Sequence, residues 1–184
     1  MTESEFLTIA RGNPLNRELE RRLAALDLPQ GHLVAGCLFQ TLWNQRSGRA
    51  PDWGIRDYDV FYFDAADTSW EAEDRMIRRV AAATGDLGVE VELRNQARVH
   101  LWYEQRFGAP YPRLASARDG IDRYLVTCTC VGIELASGAL YAPNGLADLA
   151  RGRLASNPLN PLRERFLEKA ESYRARWPWL TILS

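Results

Sequence analysis

The 184-residue sequence has only three cysteines, no excess of charge and no long apolar run, and each shortage removes a class of protein. Cys37, Cys128 and Cys130 form an odd set without the spacing of a disulfide framework, so a small secreted scaffold is excluded and a reduced, cytoplasmic setting is expected. No stretch approaches the ~20 apolar residues of a membrane span. The acidic opening MTESEFLTIARGNP lacks the basic-then-apolar layout of a signal peptide. Lys and Arg total 23 against 24 Asp and Glu, a formal net charge of -1. That balance argues against nucleic-acid binding by bulk positive charge, while leaving room for a local basic groove. Internal repeats and low-complexity tracts are also missing.

What remains has an ordinary globular composition, 46% hydrophobic and 26% charged. The length suits one domain. A chain of this size buries about 70% of its unfolded surface without a disulfide or metal staple. We divide it into N-terminal helices (1–28), a core (30–150) and a C-terminal helical segment (151–184).

Leu19, Leu23 and Leu26 recur at helical spacing over residues 16–27, after a short first helix broken at Pro14. The apolar run HLVA (32–35), then Gly36, then CLFQTLWNQ reads as strand, glycine turn, helix. A loop at 46–56 leads into DYDVFYFD, a strand at 57–63 rich in aromatic residues. Thr68 stands three positions before Glu71, a capping-box spacing that opens a helix. VEVELR alternates, with Glu90, Glu92 and Arg94 on one face. Asn95 caps a helix over 96–107, or the strand runs on to His100; the end signals Gly108 and Pro110 favour the helix. Residues 119–125 read as helix, VTCTCVGIEL and ALYA as strands, and GLADLARGRL and 161–176 as helices. Strands and helices alternate, so the class is α/β or α+β, a small mixed sheet flanked by helices.

Asp57 and Asp59, two apart on a strand, project from one face. Such close carboxylates repel unless a cation lies between them, and oxygen donors select Mg²⁺ or Mn²⁺. Glu92, on a neighbouring strand, is a candidate third carboxylate, with Glu90 its fallback. Three acids suit a two-metal centre for phosphoryl chemistry, and the helix after Gly36 aims free N–H groups at a phosphate.

The stretch AGCLFQTLWNQRSGRAPDWGIRDYDVFYFD resembles the signature of DNA polymerase β-like nucleotidyltransferases: a strand into Gly-Gly or Gly-Ser, a helix, then an Asp-x-Asp strand. More closely, WNQRSGRAP, DYDVFYFD, ELRNQARVHLWYEQRFG, GIDRYL and YAPNGLADL are similar to words of a bacterial family of predicted nucleotidyltransferases of unknown substrate, across about residues 30–178. The resemblance implies a polymerase β-like fold and transfer of an NMP from an NTP to an unknown acceptor (small molecule, RNA or protein), with pyrophosphate released. It implies Asp57 and Asp59 as metal ligands and Glu92 as the third, activating the acceptor. Gly36, Cys37 and Arg94 would hold the nucleotide. Cys37 departs from the wider pattern of Gly or Ser, so an inactive nucleotide-binding or regulatory module on the same fold is the alternative.

Arg94, Arg98 and His100 are candidate phosphate or base contacts, or surface ion pairs. Trp53 is the base-stacking candidate in a loop with Arg46, Arg49 and Arg56, whereas Trp43 and Trp102 fit core packing. Cys37, at the first turn of a helix, should have a depressed thiol pKa and react ahead of Cys128 and Cys130.

Overall fold

The computed structural model describes residues 1–183. Helix α1 (Glu3–Ala10) starts in a capping box between Thr2 and Glu5. Helix α2 (Pro14–Ala24) is capped by Asn13, with Pro14 at its first position, where a missing N–H costs nothing. Pro14 therefore opens the second helix as well as ending the first.

Strand β1 (His32–Val34), helix α3 (Gly36–Arg46) and strand β2 (Asp57–Tyr62) follow as the sequence indicates. Helix α3 is buried from Gly36 through Asn44, so it runs through the core. Helix α4 (Trp70–Thr84) is capped by Ser69, one residue later than expected; the Ser69 hydroxyl accepts from the Ala72 N–H at 3.2 Å. It crosses over to strand β3 (Glu90–Asn95), which runs parallel to β2. Strands β4 (Gly132–Glu134) and β5 (Leu140–Tyr141) complete a five-stranded mixed sheet of order β3-β2-β1-β4-β5, whose other pairings are antiparallel.

Two expected elements take a different form. The stretch 96–107 is a 3₁₀ turn (Val99–Leu101) followed by the short helix α5 (Tyr103–Phe107). Asn95 does not cap it: its amide bridges the ends of two strands, accepting from the Asp64 N–H at 3.0 Å and donating to the Asp64 carbonyl at 2.9 Å. In VTCTCVGIEL only β4 is strand, because Thr127–Thr129 closes into a 3₁₀ turn with the Thr129 hydroxyl donating to the Val126 carbonyl at 2.8 Å. Helix α6 (Ala117–Ile121) starts at Ser116, and helix α7 (Ala147–Arg151) is shorter than GLADLARGRL. Strands β6 (Arg153–Leu154) and β7 (Thr181–Ile182) pair in parallel around helix α8 (Arg163–Arg176).

The alternation in β2 turns Tyr58, Val60 and Tyr62 into the core and leaves Asp57, Asp59 and Phe61 half-buried on the opposite face. Burying each large apolar side chain is worth roughly 1.5–3 kcal/mol, which the buried Phe6, Phe39, Trp43 and Trp177 supply across distant segments. Helix α8 docks through these aromatics. Tyr173 meets Phe39 and Trp43 edge-on at 5.4 Å, and the Trp177 indole N–H donates to Asn44 Oδ1 at 3.0 Å. Among the described residues no helix is long and apolar enough to cross a membrane.

Candidate active site

Parallel pairing sets Asp57 opposite Glu90, Asp59 opposite Glu92 and Phe61 opposite Arg94. Register partners share a face, so the acids of β2 and β3 form adjacent rows. Carboxylate oxygens of Asp57, Asp59 and Glu92 all lie within 4.8 Å of one another, a group that does not include the exposed Glu90. Burial, and then the Asp57 and Glu92 charges, push the Asp59 carboxyl up to about 7, partly offset by Lys169 and Arg94. Three convergent hard oxygen donors form a set suited to Mg²⁺ or Mn²⁺, with a divalent charge relieving the crowding at Asp59. The Arg94 guanidinium pairs directly with the Glu92 carboxylate.

The turn before α3 lies beside these acids. Ala35 has φ 57° and ψ -123°, a left-handed conformation that is costly for a residue with a Cβ. The Ala35 N–H donates to the Val131 carbonyl at 3.1 Å, and its carbonyl accepts from Leu38 at 3.0 Å, which holds the bend. At Gly36 a Cβ would fall 2.7 Å from the Gln40 side-chain nitrogen, so glycine leaves room for Gln40, whose oxygen accepts from Arg176 at 2.9 Å. First-turn amides such as those of Gly36 and Cys37 have no intrahelical acceptor.

The Cys37 thiol behaves opposite to expectation. It is wholly buried and donates to the Val34 carbonyl at 3.4 Å. Burial, then the nearby Asp59 charge, pushes its pKa well up, overriding any favourable field from the helix terminus. It is buried, as Cys128 and Cys130 are.

A cavity of 400 Å³ opens over Asp59 and Glu92. Cations ring it: Arg94 on β3, Arg106 on α5, Arg123 after α6, and Arg165 and Lys169 on α8. Arg123 and Arg165 are held by backbone, donating to the Leu159 carbonyl at 2.8 Å and the Phe107 carbonyl at 2.9 Å, so their charges are not cancelled by those contacts. Tyr124 stacks on Phe61 at 5.8 Å with planes 24° apart, and its buried hydroxyl has no hydrogen-bond partner.

Sequence reasoning missed Arg123, Tyr124, Arg165 and Lys169. The last belongs to a stripe on α8 (Arg165, Lys169, Tyr173, Arg176) at i, i+4, i+8 and i+11, a signal that was legible. Trp102, expected in the core, lines the cavity instead. Other residues singled out lie elsewhere. Arg98 forms a buried pair with Glu73. Trp53 lies under Arg49, whose guanidinium is 3.7 Å from the ring centroid, and Arg46 covers Trp179 at 4.1 Å. His100 does not line the cavity.

The fold superposes with TM-score 0.74 and 24% identity on a protein whose NMR structure reveals a CCA-adding enzyme head domain, covering 100% of this chain and 96% of that one. It also matches the Thermotoga maritima CCA-adding enzyme complexed with tRNA (TM-score 0.54, 13% identity, 100% of this chain, 43% of that one). A CCA-adding enzyme in complex with ATP gives TM-score 0.50 and 14% identity over 92% of this chain and 39% of that one. No curated protein matches the sequence. The nucleotidyltransferase family matches residues 21–182, nearly the whole chain. The chain belongs to the nucleotidyltransferase family, on a polymerase β-like fold shared with CCA-adding enzyme head domains.

Proposed function

We propose that the protein transfers a nucleoside monophosphate from an NTP to an acceptor hydroxyl or phosphate and releases pyrophosphate. The observation that carries this reading is the convergence of Asp57, Asp59 and Glu92 within 4.8 Å at the floor of a cavity ringed by cations. Asp57, Asp59 and Glu92 would hold Mg²⁺ or Mn²⁺, which supplies charge neutralisation at the α-phosphate and at the attacking and leaving oxygens. Arg123, Arg165 and Lys169 bind the triphosphate, and the first-turn amides of Gly36 and Cys37 add backbone donors to it. Arg94 aims Glu92, which orients an acceptor hydroxyl and takes its proton. The acceptor oxygen then bonds to the α-phosphorus as the bond to the β-phosphate oxygen breaks. Catalysis is thus mainly positioning and electrostatics. Solved complexes of similarly folded enzymes with ATP and with tRNA support the NTP and are compatible with an RNA acceptor.

The second reading, a binding module without turnover, is favoured by one observation: the Cys37 side chain turns into the core and offers the phosphates nothing. Incubation with Mg²⁺, α-labelled NTPs and cell extract separates the two. An enzyme labels an acceptor, and Glu92→Gln abolishes labelling while NTP still binds. NTP binding with no labelled product from any extract would establish the module instead.

A further inference from the structure

A second cavity, of 440 Å³, lies behind Arg94 and shares Arg94, Trp102 and Arg106 with the cavity over the carboxylates. We propose that it seats the acceptor and that the acceptor presents a nucleoside phosphate there, its base against Trp70 and its phosphate between Arg94 and Arg106. This rests on the nucleotidyl-transfer reading and adds its second substrate.

A two-substrate transfer needs two adjoining seats, and the partition here is the residue that pairs with Glu92. The second cavity adjoins the first through Arg94, whose guanidinium pairs with the third carboxylate. Its volume lies within the ~300–1,000 Å³ of small-molecule sites.

Glu73 is the one carboxylate lining this cavity, and it is already used. It is 2% exposed, paired with Arg98, and accepts the Asn95 N–H at 2.8 Å. Arg106 has no carboxylate within ion-pair distance among the described residues. Its guanidinium sits 5.9 Å from the Trp102 ring centroid and 5.4 Å from that of Phe107. The cavity therefore has positive charge to spare, in the planar fork form that suits a phosphate.

The cavity also has a bare aromatic face. Trp70, at the first position of α4, is 52% exposed, and the Arg98 guanidinium lies 5.6 Å from its ring. Arg98 is fixed by Glu73 and by donation to the Thr68 carbonyl at 3.2 Å, so it braces the indole. A braced, exposed indole is a stacking platform for a base, and Gln105 offers an amide donor and acceptor to its edge.

The source is either a free nucleotide or the end of a single-stranded RNA, and the test has an arm for each. Binding of AMP and of fluorescein-labelled rA₄ is measured in EDTA, where metal-dependent NTP binding is silent. At least one probe is expected to bind. Trp70→Ala and Arg106→Gln should each weaken that binding about tenfold, Trp70→Phe should restore most of it, and Asp57→Asn/Asp59→Asn should leave it intact. AMP binding as tightly as rA₄ identifies a small-molecule acceptor, and tighter rA₄ an RNA end. Failure of both probes, or binding indifferent to Trp70→Ala, would overturn the acceptor seat. Loss of the nucleotidyl-transfer reading would instead show as absent metal-dependent NTP binding, with the EDTA result unchanged.

Discussion

Asp59 and Glu92 are register partners on the parallel strands β2 and β3, so the carboxylate furthest from its ordinary proton affinity stands beside one of the charges that displaces it. The unfolded chain exposes Asp59 at an ordinary value near 3.8, whereas the fold holds it at about 7. Between these values the native state keeps a proton that the unfolded state has lost. The metal-free protein therefore loses stability from this group as pH rises from about 4 to about 7, and does not regain it above. Asp59→Asn removes the loss. At pH 8 it should raise the melting temperature of metal-free protein, by roughly 2–4 °C per kcal/mol recovered, and have little effect at pH 4. Thermal melts of both proteins across pH in EDTA check this. A variant less stable than wild type at pH 8 would contradict the crowding of the three acids.

Tyr124 makes a prediction with an unusual sign. Its buried hydroxyl has no partner, an arrangement that costs about 1–3 kcal/mol in the free protein. We expect a nucleotide oxygen to satisfy it. Tyr124→Phe should thus melt at the same or a higher temperature while binding NTP about tenfold more weakly. A structural role would give the reverse, lower stability with unchanged affinity.

The thiols give a third test. Burial raises the pKa of Cys37 well above normal and holds Cys128 and Cys130 at about 12. Native protein should resist alkylation at all three positions, with or without NTP, and react at all three in denaturant. Mass-spectrometric labelling follows each site; rapid native labelling of Cys37 would show that the turn opens.

These tests fall on residues of very different legibility. Strands β1, β2 and β3 were readable because alternation and aromatic content are local, and so were the three carboxylates, which local periodicity places on shared faces. The stretch after Asn95 misled because its side-chain oxygen accepts from both the Asp64 and the Ala97 N–H, a local turn tied to the neighbouring strand end and not a helix cap. Val126 to Cys130 misled because β-branched composition suggests a strand, whereas the Thr129 hydroxyl bonds back to Val126 and closes a turn. The stripe on α8 that carries Lys169 is readable in the sequence, but where that face docks is not. Lys169 lines the cavity over Asp59 because Tyr173 and Trp177 dock α8 onto α3, a contact between segments more than 100 residues apart. Trp102 carried no sign that it would wall a cavity rather than fill the core.

The central claim is that Asp57, Asp59 and Glu92 form one divalent-metal site, and direct Mn²⁺ binding followed by electron paramagnetic resonance tests it most plainly. Wild-type protein should bind Mn²⁺, more tightly at pH 8 than at pH 6 because Asp59 must lose its proton, and more tightly still with NTP present. Asp57→Asn/Asp59→Asn should abolish that binding while circular dichroism shows the fold intact. Unchanged Mn²⁺ binding in the folded double variant would contradict the site.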